Sequence, residues 1–178
     1  VDEQASLLAA IHEEVQLHAY DASWPEGFHR ERKRLLSLFP GKFIDIQHIG
    51  STAVPGMSSK PIIDILAGVE SMAVAEALAE PLCLSGYTTS AEFNLTLTDR
   101  KWFMRWANGH RTHHLHVVVH GAEPWTERLH FRDALCARPE LAASYVALKT
   151  ELAAQHASDR EAYTHAKEAF IRSVSRAG

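Results

Sequence analysis

The sequence predicts one mixed domain, α/β of the α+β kind, in which a mostly antiparallel sheet of about five or six strands is covered by helices. Three observations carry this expectation. Residues 43–49 and 61–66 are short runs rich in β-branched side chains on either side of a small-residue loop. Residues 101–107 and 111–120 alternate in polarity around the turn dipeptide Asn108-Gly109. Beyond residue 123 the apolar residues recur at helical spacing, with helix-starting prolines at 124 and 139.

Composition narrows the function classes. A chain of 178 residues, 46% hydrophobic and 22% charged, has the makeup of one soluble domain with a sizeable core. A net charge of -4 gives no general attraction to nucleic acid or to an anionic membrane, so any anion must be held in a local pocket. The apolar runs are too short to span a bilayer, and residues 1–10 lack the pattern of a secretory signal, so the expected location is cytoplasmic. Cys83 and Cys136 stand alone among apolar neighbours and read as buried free thiols. Twelve histidines are the compositional oddity.

In chain order, residues 1–13 read as an N-terminal arm or short helix and residues 14–178 as the domain. Residues 15–19 alternate like an edge strand. Ser23 is placed to cap a helix over residues 26–39, with Pro25 in its first turn and Pro40-Gly41 at its end. Arg30, Arg32, Lys33 and Arg34 on that helix read as a solvated face. Between the next two strands, Gly50 permits a sharp turn and close approach to a ligand, and Ser51 and Thr52 add hydroxyls suited to a phosphate. Lys60 follows, then Asp64, a carboxylate interrupting an otherwise apolar strand. Residues 69–84 have helical spacing disturbed by Pro81.

Residues 87–97 read as a strand joined through residues 98–100 to the strand 101–107, and with 111–120 make three consecutive antiparallel strands. Trp102 and Trp106 read as core. In 111–120, Leu115, Val117 and Val119 alternate with His114, His116, Val118 and His120. Two histidines two residues apart on a strand point the same way, which suits one metal or one phosphate and equally suits a solvated sheet face. Helices over residues 123–137, from Pro139 onward, and over 159–174 close the chain. Walker, dinucleotide-binding, zincin and nucleophile-elbow motifs do not occur.

The stretches HIGSTAVPG at residues 48–56, KPIIDIL at 60–66, YDASWP at 20–25, RTHHLHVV at 111–118 and DREAYTHAKEAFI at 159–171 resemble the GrpB family, which is placed in the nucleotidyltransferase-like superfamily. The resemblance implies a Gly-Ser turn, here Gly50-Ser51, that holds nucleotide phosphates, and strand carboxylates, here Asp64, that hold divalent metal. The second acidic position of that pattern is Leu66 in this chain. A two-metal site needs several oxygen ligands, so His48, His114 and His116 are the residues left to complete one, favouring Mn²⁺, Ni²⁺ or Zn²⁺ over Mg²⁺.

Three functions are compatible with this pattern. A nucleotidyltransferase would use Gly50, Ser51 and Thr52 with Lys60, Arg100 and Arg111 on phosphate, Asp64 on metal, and His114 or His116 as ligand or base. A non-catalytic module would keep the phosphate cradle for a nucleotide or phosphorylated small molecule, as implied by related domains fused to dephospho-CoA kinase. A metal-dependent phosphoester hydrolase would use His48, Asp64, His114 and His116.

Overall fold

Four strands in the order β1-β2-β4-β3 make the sheet: β1 (Asp45–Ile49), β2 (Ile63–Val69), β3 (Arg100–Ala107) and β4 (His110–Val119). The structure is a computed structural model that describes residues 2–177; Val1 and Gly178, the outer ends of the two expected segments, lie outside the described residues. β1 runs antiparallel to β2 and β3 antiparallel to β4, while the central pair β2 and β4 is parallel. The β3–β4 hairpin turns on Asn108 and Gly109, both at positive φ (52° and 79°), the conformation that this dipeptide favours.

Helices cover both faces. On one lie α2 (Trp24–Leu38), α3 (Met72–Ala77) and α4 (Ala79–Leu84), and Phe28, Leu35, Leu78 and Leu82 pack on Ile46, Ile65, Phe103, Leu115 and Val117. On the other, Trp125 of α6 (Glu123–Ala137) packs on Ile49, Leu66 and Val118. α7 (Pro139–Gln155) and α8 (Arg160–Ala177) join α6 through Phe131, Leu135, Tyr145 and Val174. The N-terminal α1 (Glu3–Ile11) lies along the β3–β4 end, where Gly109 N–H donates to Ser6 Oγ at 2.8 Å.

Several expectations are corrected here. Residues 87–97 hold the short helix α5 (Ala91–Thr96): Ser90 caps it by accepting from Phe93 N–H at 3.1 Å, and Thr88 alone keeps strand contact, as a bridge to Met104. The sheet therefore has four strands, with β4 inserted between β2 and β3 rather than at the end of a meander. Residues 15–19 make one bridge, His18 to Ser59, and no strand. The helix over 69–84 is broken at Leu78, because Pro81 has no N–H for the Ala77 carbonyl and its ring crowds that residue. Both cysteines are exposed and free; each follows a buried leucine, Leu82 and Leu135, and the helix turns it outward. Trp102 and Trp106 are half-buried rather than core.

Candidate functional site

Asp64 stands near the start of β2, opposite Ile49 of β1 and His114 of β4. His116, in register with Leu66 and with Trp102, shares its face of the sheet. His114 Nδ1 lies 3.6 Å and His116 Nε2 3.9 Å from Asp64 Oδ1. The second carboxylate oxygen approaches Gly50, where a Cβ would stand 2.6 Å from Oδ2. Gly50 also has φ 73°, so glycine is required both by the backbone and by the carboxylate beside it.

The partners fix the imidazole protons. Arg111 Nη1 can only donate, and it lies 3.3 Å from His114 Nε2, so that nitrogen accepts and the ring proton sits on Nδ1, facing Asp64. Burial pushes His114 down to about 4 against the opposing pull of Asp64, which keeps the ring neutral at pH 7. Burial lowers His116 as well. On Asp64 burial acts upward, but the His114 contact, the two imidazoles and Lys167 prevail and hold the carboxyl below its ordinary range.

Of the four expected metal ligands, Asp64, His114 and His116 come together and His48 does not. His48 is in register with Ile65, not Asp64, which puts it on the opposite face of the sheet. Its ring stacks on Phe28 at 4.8 Å, and its Nε2 bonds Thr52 Oγ1 at 2.8 Å. Both nitrogens of His114 are engaged, and at the second acidic position Leu66 lies fully buried in an apolar cluster. Among the described residues no group of three or more His, Cys, Asp or Glu side chains could hold a metal ion. The residues present therefore do not fit the expected Mg²⁺, Mn²⁺, Ni²⁺ or Zn²⁺ site.

The expected phosphate ligands divide. Ser51 and Thr52 are buried with their hydroxyls taken, Thr52 by His48 and Ser51 by Lys149, whose Nζ donates to Ser51 Oγ at 2.8 Å and to the Ser58 carbonyl at 2.5 Å. Arg111 is held by the end of α1, donating from Nε to the Ala10 carbonyl at 3.0 Å and from Nη2 to the Ile11 carbonyl at 3.1 Å. Lys60 lies over the Tyr163 ring at 5.0 Å. Arg100 reaches Glu168 at 3.8 Å, while its buried Nε has no partner.

Helices α7 and α8 add the residues that motif reading missed. Arg160, Tyr163 and Lys167 recur at i, i+3 and i+7 on one face of α8, with Lys167 Nζ 5.1 Å from the centre of the Tyr163 ring. Arg160 donates from Nη2 to the Glu13 carbonyl at 2.9 Å, but its Nε and Nη1 are buried without partners, as are Tyr163 Oη and His116 Nδ1. Lys149 is almost fully buried, and burial pushes it down to about 7. One signal was available: Lys149 falls four residues after Tyr145, inside the apolar stripe of its helix.

Fold and site together define an α+β protein whose sheet carries Asp64 into a cluster of lysines and arginines. The chain belongs to the GrpB protein family, whose sequence pattern matches residues 14–177. It is 36% identical over 175 residues to the UPF0157 protein YqkA of Bacillus subtilis, covering 96% of this chain and 50% of that protein. It thus spans half the length of that relative. The solved structure of the conserved protein GrpB from Enterococcus faecalis matches with a TM-score of 0.79 at 31% identity, over 91% of this chain and 96% of that one. A protein named dephospho-CoA kinase from Mycolicibacterium paratuberculosis is 30% identical over 184 residues, 91% of this chain and 45% of that protein. No helix among the described residues is long and apolar enough to cross a membrane.

Proposed function

We propose that this chain is a binding module for a phosphorylated small molecule, a nucleotide or a phosphorylated coenzyme precursor, held by the basic cluster between the Asp64 face of the sheet and α8. The observation that carries this reading is the imbalance of charge and hydrogen bonding. Asp64 acts on Lys60 and on Lys149 against the cations Lys167, Arg160 and Arg111, and Glu168 faces Arg100 at 3.8 Å. Buried donors on Arg100, Arg160 and Tyr163 lack partners. A buried polar group without a partner costs about 1–3 kcal/mol, and phosphate oxygens would satisfy several at once. Nucleotidyl transfer draws less support: the position of its second carboxylate is taken by the buried Leu66. The likeness to a segment of a dephospho-CoA kinase adds CoA precursors to the ligands to be tried.

Thermal unfolding with ATP, CoA, dephospho-CoA and pyrophosphate tests the reading. A ligand at about a hundred times its Kd should add about 2.7 kcal/mol, a rise of several degrees, and the rise should be lost in Lys167→Gln. Unchanged melting with all four, or a rise that survives in Lys167→Gln, overturns it.

A further inference from the structure

On the face of the sheet away from Asp64, a cavity of about 410 Å³ opens between α2 and the ends of β2, β3 and β4. It is separate from the basic cluster around Asp64 because strand side chains alternate: Ile63 and His113 line the cavity, while their neighbours Asp64 and His114 point the other way. Its size falls in the range of about 300–1,000 Å³ typical of small-molecule sites. Trp24, Pro61 and Ile63 give it an apolar wall. Gly27 keeps α2 close: a Cβ there would stand 2.6 Å from Ile63 Cδ1, which accounts for a glycine in mid-helix despite its cost of about 1 kcal/mol relative to alanine.

The polar wall is built around Glu31, which is 4% exposed. Tyr87 Oη donates to its Oε1 at 2.9 Å, Arg105 Nη1 donates to its Oε2 at 2.5 Å, and Arg34 Nε lies 3.7 Å away. Arg34 is fixed further by a short hydrogen bond to the Ser85 carbonyl. Glu31 thus orients two guanidinium groups and neutralises one charge. Arg30, at the exposed rim, has no acidic partner within ion-pair distance among the described residues. His113 holds Thr112 Oγ1 at 2.8 Å through Nδ1 and, pushed by burial to about 4, is neutral at pH 7. Three arginines against one glutamate leave two positive charges beside an apolar wall. The helix face that reads as solvated in the sequence therefore supplies a pocket.

We infer that this cavity is a second binding site, for a small organic acid whose carboxylate is taken by Arg30 with Arg34 or Arg105 and whose flat apolar body lies against Trp24 and Ile63. Planar guanidinium groups match carboxylate geometry, and the aromatic and aliphatic wall sets the character of the rest of the ligand. The inference does not depend on the phosphate reading of the other face.

The test is an NMR titration of the whole chain with benzoate and 2-naphthoate, with the corresponding neutral amides as controls. The expected result is saturable binding of the acids, with shifts at the Trp24 indole, the Ile63 methyls and the His113 amide, and no binding of the amides. Arg30→Gln, a surface change that should leave the fold intact, should weaken the acids about tenfold, while Lys167→Gln leaves them unchanged. No saturable binding by the wild type, shifts that map to Asp64 and Tyr163 instead, or full affinity in Arg30→Gln would each overturn the inference.

Discussion

Gly50 shows how one residue serves the backbone and the site together. With φ 73° and Asp64 Oδ2 2.6 Å from where a Cβ would be, Gly50→Ala meets a backbone cost and a steric one. Positive φ with an extended ψ of -171° alone costs about 1–3 kcal/mol for a residue with a Cβ, and the clash adds to it, so urea unfolding should show a total loss of about 2–4 kcal/mol. Adding Asp64→Ser removes the shortest contact, to Oδ2, though the Cβ of residue 64 stays 3.1 Å away, and should recover some of that loss, whereas the backbone part must remain. Full recovery in the double variant would mean that the positive φ costs nothing here. At the same scale, the parity of β1 decides the fate of His48: in register with Ile65, it supports Phe28 and Thr52 instead of joining Asp64.

Among the elements, α7 is tied to the Gly50–Lys60 loop by a single buried cation. Lys149 gives up hydration to donate to Ser51 and to the Ser58 carbonyl, and burial lowers it to about 7. A lysine lowered in the folded state binds fewer protons than in the unfolded state between pH 7 and its ordinary 10.5, so stability rises with pH across that window. Lys149→Met lacks this rise and leaves the Ser58 carbonyl unpaired. Its deficit against the wild type should be about 1–2 kcal/mol near pH 7 and should widen toward pH 9.5, as read by urea unfolding at the two pH values. A deficit that stays the same at the two pH values would show that Lys149 keeps its proton in the folded protein throughout. Element α5 teaches a different lesson: the Ser90 cap, a local signal, outweighed the β-like composition of residues 87–97.

For the whole molecule, the distribution of histidines sets the acid limit. His48, His113 and His114 lie on both faces of the sheet, and burial pushes each down to about 4. The unfolded chain takes up those protons near 6.5, before the folded chain does, so their contribution is intact above that pH and is lost as pH falls toward 4. Melting temperature should therefore drop steeply across this window. His113→Asn should make the fall shallower by about 1.4 kcal/mol per pH unit, the contribution of one proton. An unchanged slope in that variant would place His113 in contact with water and at its ordinary pKa.

Sequence alone determined the strand–loop–strand unit around Gly50, the Asn108-Gly109 hairpin, the three C-terminal helices and the GrpB resemblance, because each is set by short-range periodicity, capping or turn chemistry. It also singled out Asp64, as a carboxylate interrupting an otherwise apolar strand. Tertiary structure decided the rest. Parallel pairing of β2 with β4 brings His114 and His116 to Asp64, β1 register turns His48 away, and α8 delivers Arg160, Tyr163 and Lys167 from nearly 100 residues downstream. Such meetings depend on strand register and helix docking, which are settled by burial of whole faces, and no local pattern in the chain encodes them.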